Sequence, residues 1–195
     1  MLIALMVLLA QAPSLPPAQK PLEITTALMQ STFYLQGPSA ETGKVTTGSG
    51  LVVGRPCGDS APSRGAYTLV TAAHVLGQIV GDTLLIFVRL KQPDDTWQKT
   101  PHVVKIRDHG ASRWVKHPGA DVAALYVALP EGAAPQLLPS DFFANDRMLQ
   151  QFEVHPGDEV LALGYPLGVA ANESGFPLLR SGRIASPSLS IWMRQ

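Results

Sequence analysis

Short runs rich in β-branched and aromatic residues recur along this chain, and segments rich in glycine, proline and serine separate them. Each run has the composition or the alternation of a β-strand. The runs are residues 31–36, 48–53, 66–71, 82–90, 99–107 and 121–129. No amphipathic stretch of useful helical length lies between them. This spacing predicts an all-β fold in which the first strands form a small antiparallel barrel.

The composition supports a folded chain of this class. The 195 residues are 46% hydrophobic and 15% charged, which is enough apolar material to bury a core. Seventeen glycines and seventeen prolines favour short strands joined by turns over helices. The 15 basic and 15 acidic residues cancel, so neither nucleic acid nor an anionic membrane surface is expected as a partner.

The amino-terminal residues predict export. Residues 1–10 are apolar but too few to span a bilayer, and Ala10-Gln11-Ala12 has the small residues of a cleavage site. We therefore expect a secretory leader over residues 1–12, a proline-rich linker over 13–30, and a periplasmic or extracellular location without further membrane insertion. The leader has no lysine or arginine, and Pro13 follows the site directly. A mistaken start codon upstream of a shorter mature protein is therefore the alternative.

His74 is the residue best suited to a catalytic role. It follows a predicted strand and two alanines, in the sequence Thr71-Ala72-Ala73-His74. An imidazole fixed at a strand end, on rigid scaffold, suits a general base. The alternative interpretation of a single histidine is a core residue whose two nitrogens are satisfied.

Three motifs in order resemble those of trypsin-like (chymotrypsin-fold) serine peptidases, especially the bacterial type related to the HtrA proteins. Thr-Ala-Ala-His at His74 resembles the histidine motif, residues 48–53 resemble its glycine-rich partner strand, and residues 120–125 resemble the aspartate motif. The resemblance implies a double β-barrel, a protein or peptide substrate and no cofactor. It also implies that His74 is the general base and that Asp121 is a buried carboxylate that holds the imidazole tautomer.

The resemblance continues over residues 157–186, which look like the start of the second barrel with its Gly-x-Pro-x-Gly turn at Gly164 to Gly168. The implied organisation is a first barrel over 31–136, a connection over 137–156 with a short helix near 142–150, and a partial second barrel over 157–195. The family's nucleophile motif, Gly-Asn/Asp-Ser-Gly-Gly-Pro, does not occur. We therefore expect a chain truncated before the catalytic serine and inactive alone.

Ser174 comes nearest to that motif, since glycine follows it and proline stands three positions on. However, Glu173 and Phe176 replace residues of the motif, and Phe176 does not readily adopt the backbone conformations of the glycine it replaces. Ser174 is therefore interpreted as a surface serine. Three later serines lack flanking glycines and are weaker candidates still: Ser186, Ser188 and Ser190.

The remaining polar and aromatic residues predict no metal or nucleic-acid site. The other histidines have no compact ligand spacing, and the tryptophans are too scattered for a stacking platform. Cys57 is either a loop thiol without a role or the partner of a cysteine beyond the given C-terminus. The other histidines are His102, His109, His117 and His155, and the tryptophans are Trp97, Trp114 and Trp192.

Two functions are thus open. The chain is either the N-terminal portion of an exported serine endopeptidase or a non-catalytic, peptidase-like module that binds other proteins. The presence of both His74 and Asp121 favours the first, because a binding module has no chemical use for the pair. Neither the oligomeric state nor the cleavage preference follows from the sequence.

Overall fold

The computed structural model describes residues 23–55, 66–130, 132–133, 138 and 143–185. Cys57, Trp192 and the three serines after residue 185 lie outside this part of the chain. The elements, in chain order, are α1 Ile24–Ser31, β1 Thr32–Pro38, β2 Val45–Arg55, β3 Ala66–Thr71, α2 Ala73–Gln78, β4 Thr83–Lys91, β5 Trp97–Lys105, β6 Arg107–Asp108, β7 Ala111–Ser112, β8 Val115–Lys116, β9 Ala123–Val127, α3 Asp146–Gln151, β10 Glu159–Gly164 and β11 Leu178–Arg183.

Seven strands form one antiparallel sheet in the order β5-β4-β1-β2-β3-β9-β8. This confirms the predicted all-β, antiparallel class. The two ends of the strand order also approach each other, since Nε2 of His102 on β5 lies 3.0 Å from the carbonyl oxygen of Ala128, just after β9. Backbone pairing in the described residues does not join β5 to β8, so the closed double barrel stays a prediction.

The core lies on one face of this sheet. Along β4, Leu84, Ile86 and Val88 are buried at alternate positions, as a two-residue period requires of a strand with one covered face. Leu35 and Leu69 on neighbouring strands complete the apolar layer. Each such side chain contributes about 1.5–3 kcal/mol by leaving water. This layer is therefore the hydrophobic core of the seven-stranded sheet.

Helix α2 packs directly on β2 at Gly48, where no side chain intervenes. A Cβ at Gly48 would lie 2.7 Å from a methyl group of Val75 on α2, and a Cβ at Gly50 would lie 2.6 Å from Leu69. Real side chains do not approach so closely, so Gly48 allows the helix to approach the sheet, and Gly50 leaves room for the core side chain of Leu69 on β3. The glycine-rich strand seen in the sequence thus positions the helix that carries His74.

Helix α1 lies where the sequence analysis assigned a linker. The Glu23 carboxylate accepts hydrogen bonds from the backbone N–H groups of Thr25 and Thr26, which caps the helix. Ala27, on the helix itself, is fully buried. The linker prediction was wrong for residues 24–30, and Ser31, which was predicted to begin the first strand, is the last residue of this helix. The β-branched residues of the first turn give a weak helical signal, and tertiary packing stabilises the helix.

Strands β10 and β11 form a separate antiparallel hairpin, and a 3₁₀ turn at Pro166–Gly168 follows β10. The hairpin contacts the large sheet through Ser49, whose Oγ accepts a hydrogen bond from the Tyr165 N–H at 2.8 Å. A Cβ at Gly164 would lie 2.9 Å from the same Oγ. Gly164 therefore allows the hairpin to approach the seven-stranded sheet closely at Ser49.

Arg89 on β4 also links the seven-stranded sheet to the segment between β10 and β11, and it is 4% exposed. Its guanidinium donates to the Tyr165 Oη and to four backbone carbonyl oxygens over 2.7–3.1 Å; the carbonyls belong to Met29, Gln30, Thr32 and Gly175. It also lies between the rings of Phe33 and Phe176, 4.8 and 4.7 Å from their centres. Burial lowers the pKa of Arg89 and raises that of Tyr165.

The helices of the described ranges are all short. Within residues 23–55, 66–130 and 143–185, none is long and apolar enough to cross a membrane.

Candidate active site

His74 is the second residue of α2, three positions after the end of β3. The sequence placed it at a strand end, and the structure adds one helical turn there. Thr71, the last residue of β3, is 6% exposed and donates its hydroxyl to the carbonyl oxygen of Ser49 at 2.8 Å. This bond ties the end of β3 to β2, so the chain enters α2 from a fixed point.

Asp121 reaches the same place from β9. That strand pairs with β3, with Thr71 opposite Ala123, so the residues just before β9 lie beside the start of α2. The Asp121 carbonyl oxygen accepts a hydrogen bond from the N–H of Ala73 at 3.4 Å. Strand register therefore brings together two residues that are far apart in the sequence.

Both oxygens of the Asp121 carboxylate bind His74. Oδ2 lies 2.5 Å from Nδ1 of the ring, and Oδ1 accepts the backbone N–H of His74 at 2.9 Å. Because an ionised carboxylate only accepts, Nδ1 carries the proton and Nε2 presents a lone pair. No hydrogen bond reaches Nε2 from any residue that the structure describes. The imidazole is thus held in the tautomer that can accept a proton at Nε2.

The hydrogen bonds from the His74 ring and then from its backbone N–H lower the pKa of Asp121. The carboxylate is therefore ionised at neutral pH. However, the side chains of His74 and Asp121 are 57% and 56% exposed. The expectation of a buried carboxylate was wrong for the residues that the structure describes, and solvent screens an exposed pair.

Ser174 lies in a turn that contacts a different part of the sheet. The next residue, Gly175, has φ +76° and binds Arg89 through its carbonyl oxygen, and a Cβ there would lie 2.8 Å from Lys99. No hydrogen bond connects Ser174 to His74 within the described ranges. The contacts thus bring His74 and Asp121 together and leave Ser174 with β4 and β5.

The other histidines have separate local contacts. His102 binds a backbone carbonyl, and Nδ1 of His117 accepts the N–H of Gly119 at 3.1 Å. His109 lies 3.9 Å from Asp108, and the backbone N–H of His155 donates to Asp158. In the described ranges no three side chains of metal-ligating type cluster together. Trp97 and Trp114 pack, the first edge-on to Phe176 and the second against the core.

Sequence reasoning missed two residues that support this site. Ser49 accepts from Thr71 through its carbonyl and from Tyr165 through its hydroxyl. Its place between two glycines was the available signal. Arg107 binds the end of α2, and a single arginine at the end of the predicted strand 99–107 gives no such signal.

Comparison with known proteins gives a partial likeness. No protein-family model and no curated protein matches the chain. Among solved structures, the chain is similar to the HtrA-type protease AlgW, determined as a serine-to-alanine variant with a tripeptide. The two are 19% identical, and the match covers 85% of this chain and 40% of that one, with a TM-score of 0.41. The chain therefore spans less than half the length of that protease. A likeness at this level assigns no function, which has to follow from the geometry of His74 and Asp121.

Proposed function

We propose that this chain is the N-terminal portion of an exported, trypsin-like serine endopeptidase, with His74 as its general base and Asp121 as the carboxylate that orients it. One observation carries the proposal: both Asp121 oxygens bind His74, one at Nδ1 and one at the backbone N–H. This arrangement fixes the ring and its tautomer together. An ordinary surface ion pair does not need to fix the orientation of the ring or its tautomer.

The chemistry follows from this geometry. A serine hydroxyl is a weak nucleophile until a base removes its proton, and Nε2 of His74 is the available base. As the proton arrives, the ionised Asp121 stabilises the imidazolium. The serine oxygen attacks the carbonyl carbon, and the imidazolium gives its proton to the leaving amine as the C–N bond breaks, which leaves an acyl-enzyme. His74 then takes a proton from a water that attacks the ester, which releases the carboxylic acid and restores the serine. No metal or cofactor takes part in these steps.

The serine itself belongs to the remainder of the proposed enzyme. Ser174 makes no hydrogen bond to His74, and Asn172 and Phe176 stand where the nucleophile motif has two of its three glycines. The exposed halves of His74 and Asp121 are where the serine-bearing part would pack, which would strengthen the pair by excluding water. The chain as given is accordingly expected to have no peptidase activity.

The deciding experiment measures the intact mass of the natural gene product before and after treatment with a fluorophosphonate probe. We expect a product longer than the given chain that gains the mass of one probe. His74→Ala should prevent labelling without unfolding the protein, and Arg183→Ala, on the hairpin, is the matched control that should label normally. Labelling that survives His74→Ala would overturn the assignment.

The second candidate is a peptidase-like module that binds other proteins without cleaving them. The observation that favours it is the absence of the nucleophile motif from the 195 residues. A natural product that ends at Gln195 and gains no probe mass would establish this alternative over the first.

A further inference from the structure

Helix α2, which carries His74, has only six residues. A helix of this length is unstable alone, and its last carbonyl groups have no partner within the helix. The Arg107 guanidinium donates to three carbonyl oxygens at this end. Nη2 binds that of Leu76 at 2.8 Å, and Nη1 binds those of Ile79 and Gly81 at 2.8 and 2.6 Å.

We infer that Arg107 is a positioning residue for the His74 imidazole, acting through α2; this inference rests on the proposed function. Ala73, Val75 and Leu76 bury one face of the helix in the core, and hydrogen bonds hold its two ends. Asp121 binds its first turn through the N–H groups of Ala73 and His74, and Arg107 binds its last turn and the residues that follow. Between them, Val75 packs on Gly48.

Because α2 is short, a movement of its C-terminal end also moves His74. At 1.5 Å per residue, the α-carbons of His74 and Gln78 are only about 6 Å apart along the axis. A tilt at the last turn therefore moves the first turn by a comparable distance. The Nδ1–Oδ2 contact of 2.5 Å has little tolerance for such a shift, and a displacement of about 1 Å in a catalytic group can cost about 100-fold in rate.

An arginine suits this position better than a lysine. The guanidinium places two nitrogens against three carbonyls, whereas an ammonium is a single point of charge. Its positive charge also interacts favourably with the negative end of the helix dipole. Thr46 makes a longer side-chain contact at the same end, 3.4 Å from its Oγ1 to the Gln78 carbonyl, so Arg107 supplies the shorter bonds.

The effect of the side chain can be separated from that of the backbone. The N–H of Arg107 donates to the Asp82 carbonyl at 3.1 Å, and substitution leaves this bond available. Arg183 provides a matched control, since its guanidinium donates to a single carbonyl, that of Gly157 at 2.6 Å, on the hairpin away from α2.

The test follows two NMR signals of the given chain: the low-field proton on Nδ1 of His74 and the exchange rate of the His74 backbone amide. We expect Arg107→Ala to broaden or abolish the first and to accelerate the second by about tenfold or more, because the last turn of α2 opens locally. Arg107→Lys should restore part of both signals. Arg183→Ala should leave both unchanged.

Unchanged His74 signals in a folded Arg107→Ala protein would overturn the inference, even if the melting temperature fell. If Arg107→Ala does not fold, Arg107→Lys and Arg107→Gln decide: an unshifted Nδ1 proton in both would also overturn it. These measurements need neither serine nor substrate. Failure of the probe-labelling experiment would therefore refute the peptidase proposal separately from the link between Arg107 and His74.

Discussion

The large sheet and the β10–β11 hairpin are built from similar strand residues but bury them very differently. On β4, alternate side chains are almost completely buried, as with Ile86 at 0% exposure. On the hairpin, Val160 and Leu161 remain 41% and 55% exposed, and Leu179 remains 44% exposed. Strand formation is therefore a local property of both segments, whereas stability from packing belongs mainly to the sheet.

The two regions meet through a few polar contacts and two aromatic pairs, Tyr34 with Tyr165 and Trp97 with Phe176. Ser49 holds the Tyr165 N–H, and Arg89 holds the carbonyls of α1 and of Gly175. Buried polar groups are costly when a partner is lost, so these contacts make the junction sensitive to single substitutions. The following variants test this contrast between the sheet, the junction and the hairpin.

Arg89→Ala should have the largest effect. The substitution removes the side-chain donor to the Met29 and Gln30 carbonyl oxygens and to the Tyr165 hydroxyl, while the Thr32 and Gly175 carbonyls keep the Tyr165 hydroxyl as a partner. At about 1–3 kcal/mol for each buried group left unsatisfied, we expect a loss of about 3 kcal/mol or more in the free energy of unfolding. Urea denaturation followed by circular dichroism measures this quantity. Lys105→Ala, which removes an exposed cation from β5, is the control and should change stability little. A loss below about 1 kcal/mol would show that Arg89 does not hold the junction.

Gly48→Val should come next, because it breaks the contact between α2 and the sheet. The new Cβ would lie 2.7 Å from Val75, so the helix must move, at a cost of about 1–3 kcal/mol. The His74 Nδ1 proton should shift as well. Gly77→Ala is the matched control within α2: its Cβ meets no atom within 4 Å, and alanine should stabilise the helix by up to about 1 kcal/mol. Similar effects of the two variants would contradict this account of α2.

The sequence predicted the parts of this architecture that have local patterns. Strand β3 lies at the predicted residues 66–71, and the motifs at His74 and Asp121 identified two residues that the strand register brings into contact. Arg89 and Arg107 could not be recognised, because each acts through carbonyl oxygens, which every residue has and which leave no pattern in the sequence. The exposure of Asp121 depends on what packs over it, which local composition does not encode.

The pH dependence of stability should show a smaller effect of the His74–Asp121 pair. Because the pKa of Asp121 is lowered in the folded protein, its contribution is fully present above the unfolded value of about 3.9 and is lost as the pH falls through the folded value. Asp121→Asn should therefore differ from the parent protein at neutral pH and converge with it in acid. Unfolding curves over this pH range test the convergence.

Other carboxylates with lowered pKa values also make stability depend on pH, but they are present in both proteins, so the difference between Asp121→Asn and the parent cancels their contribution. These carboxylates are Glu23, Asp94, Asp95 and Asp108. A constant difference between Asp121→Asn and the parent at every pH would mean that the charge of Asp121 does not stabilise the fold. The pair would then act on the chemistry of His74 alone.

Leu161→Ala should have the smallest effect. Leu161 is 55% exposed on β10, so its truncation should change the free energy of unfolding by no more than about 0.5 kcal/mol. Ile86→Ala on β4 removes a fully buried side chain and should cost about 2–5 kcal/mol. If Leu161→Ala instead approached the cost of Ile86→Ala, the exposed face of the hairpin would have to be covered in solution. Repeating the measurement at several protein concentrations would then distinguish association between copies, which is concentration dependent, from packing within one chain.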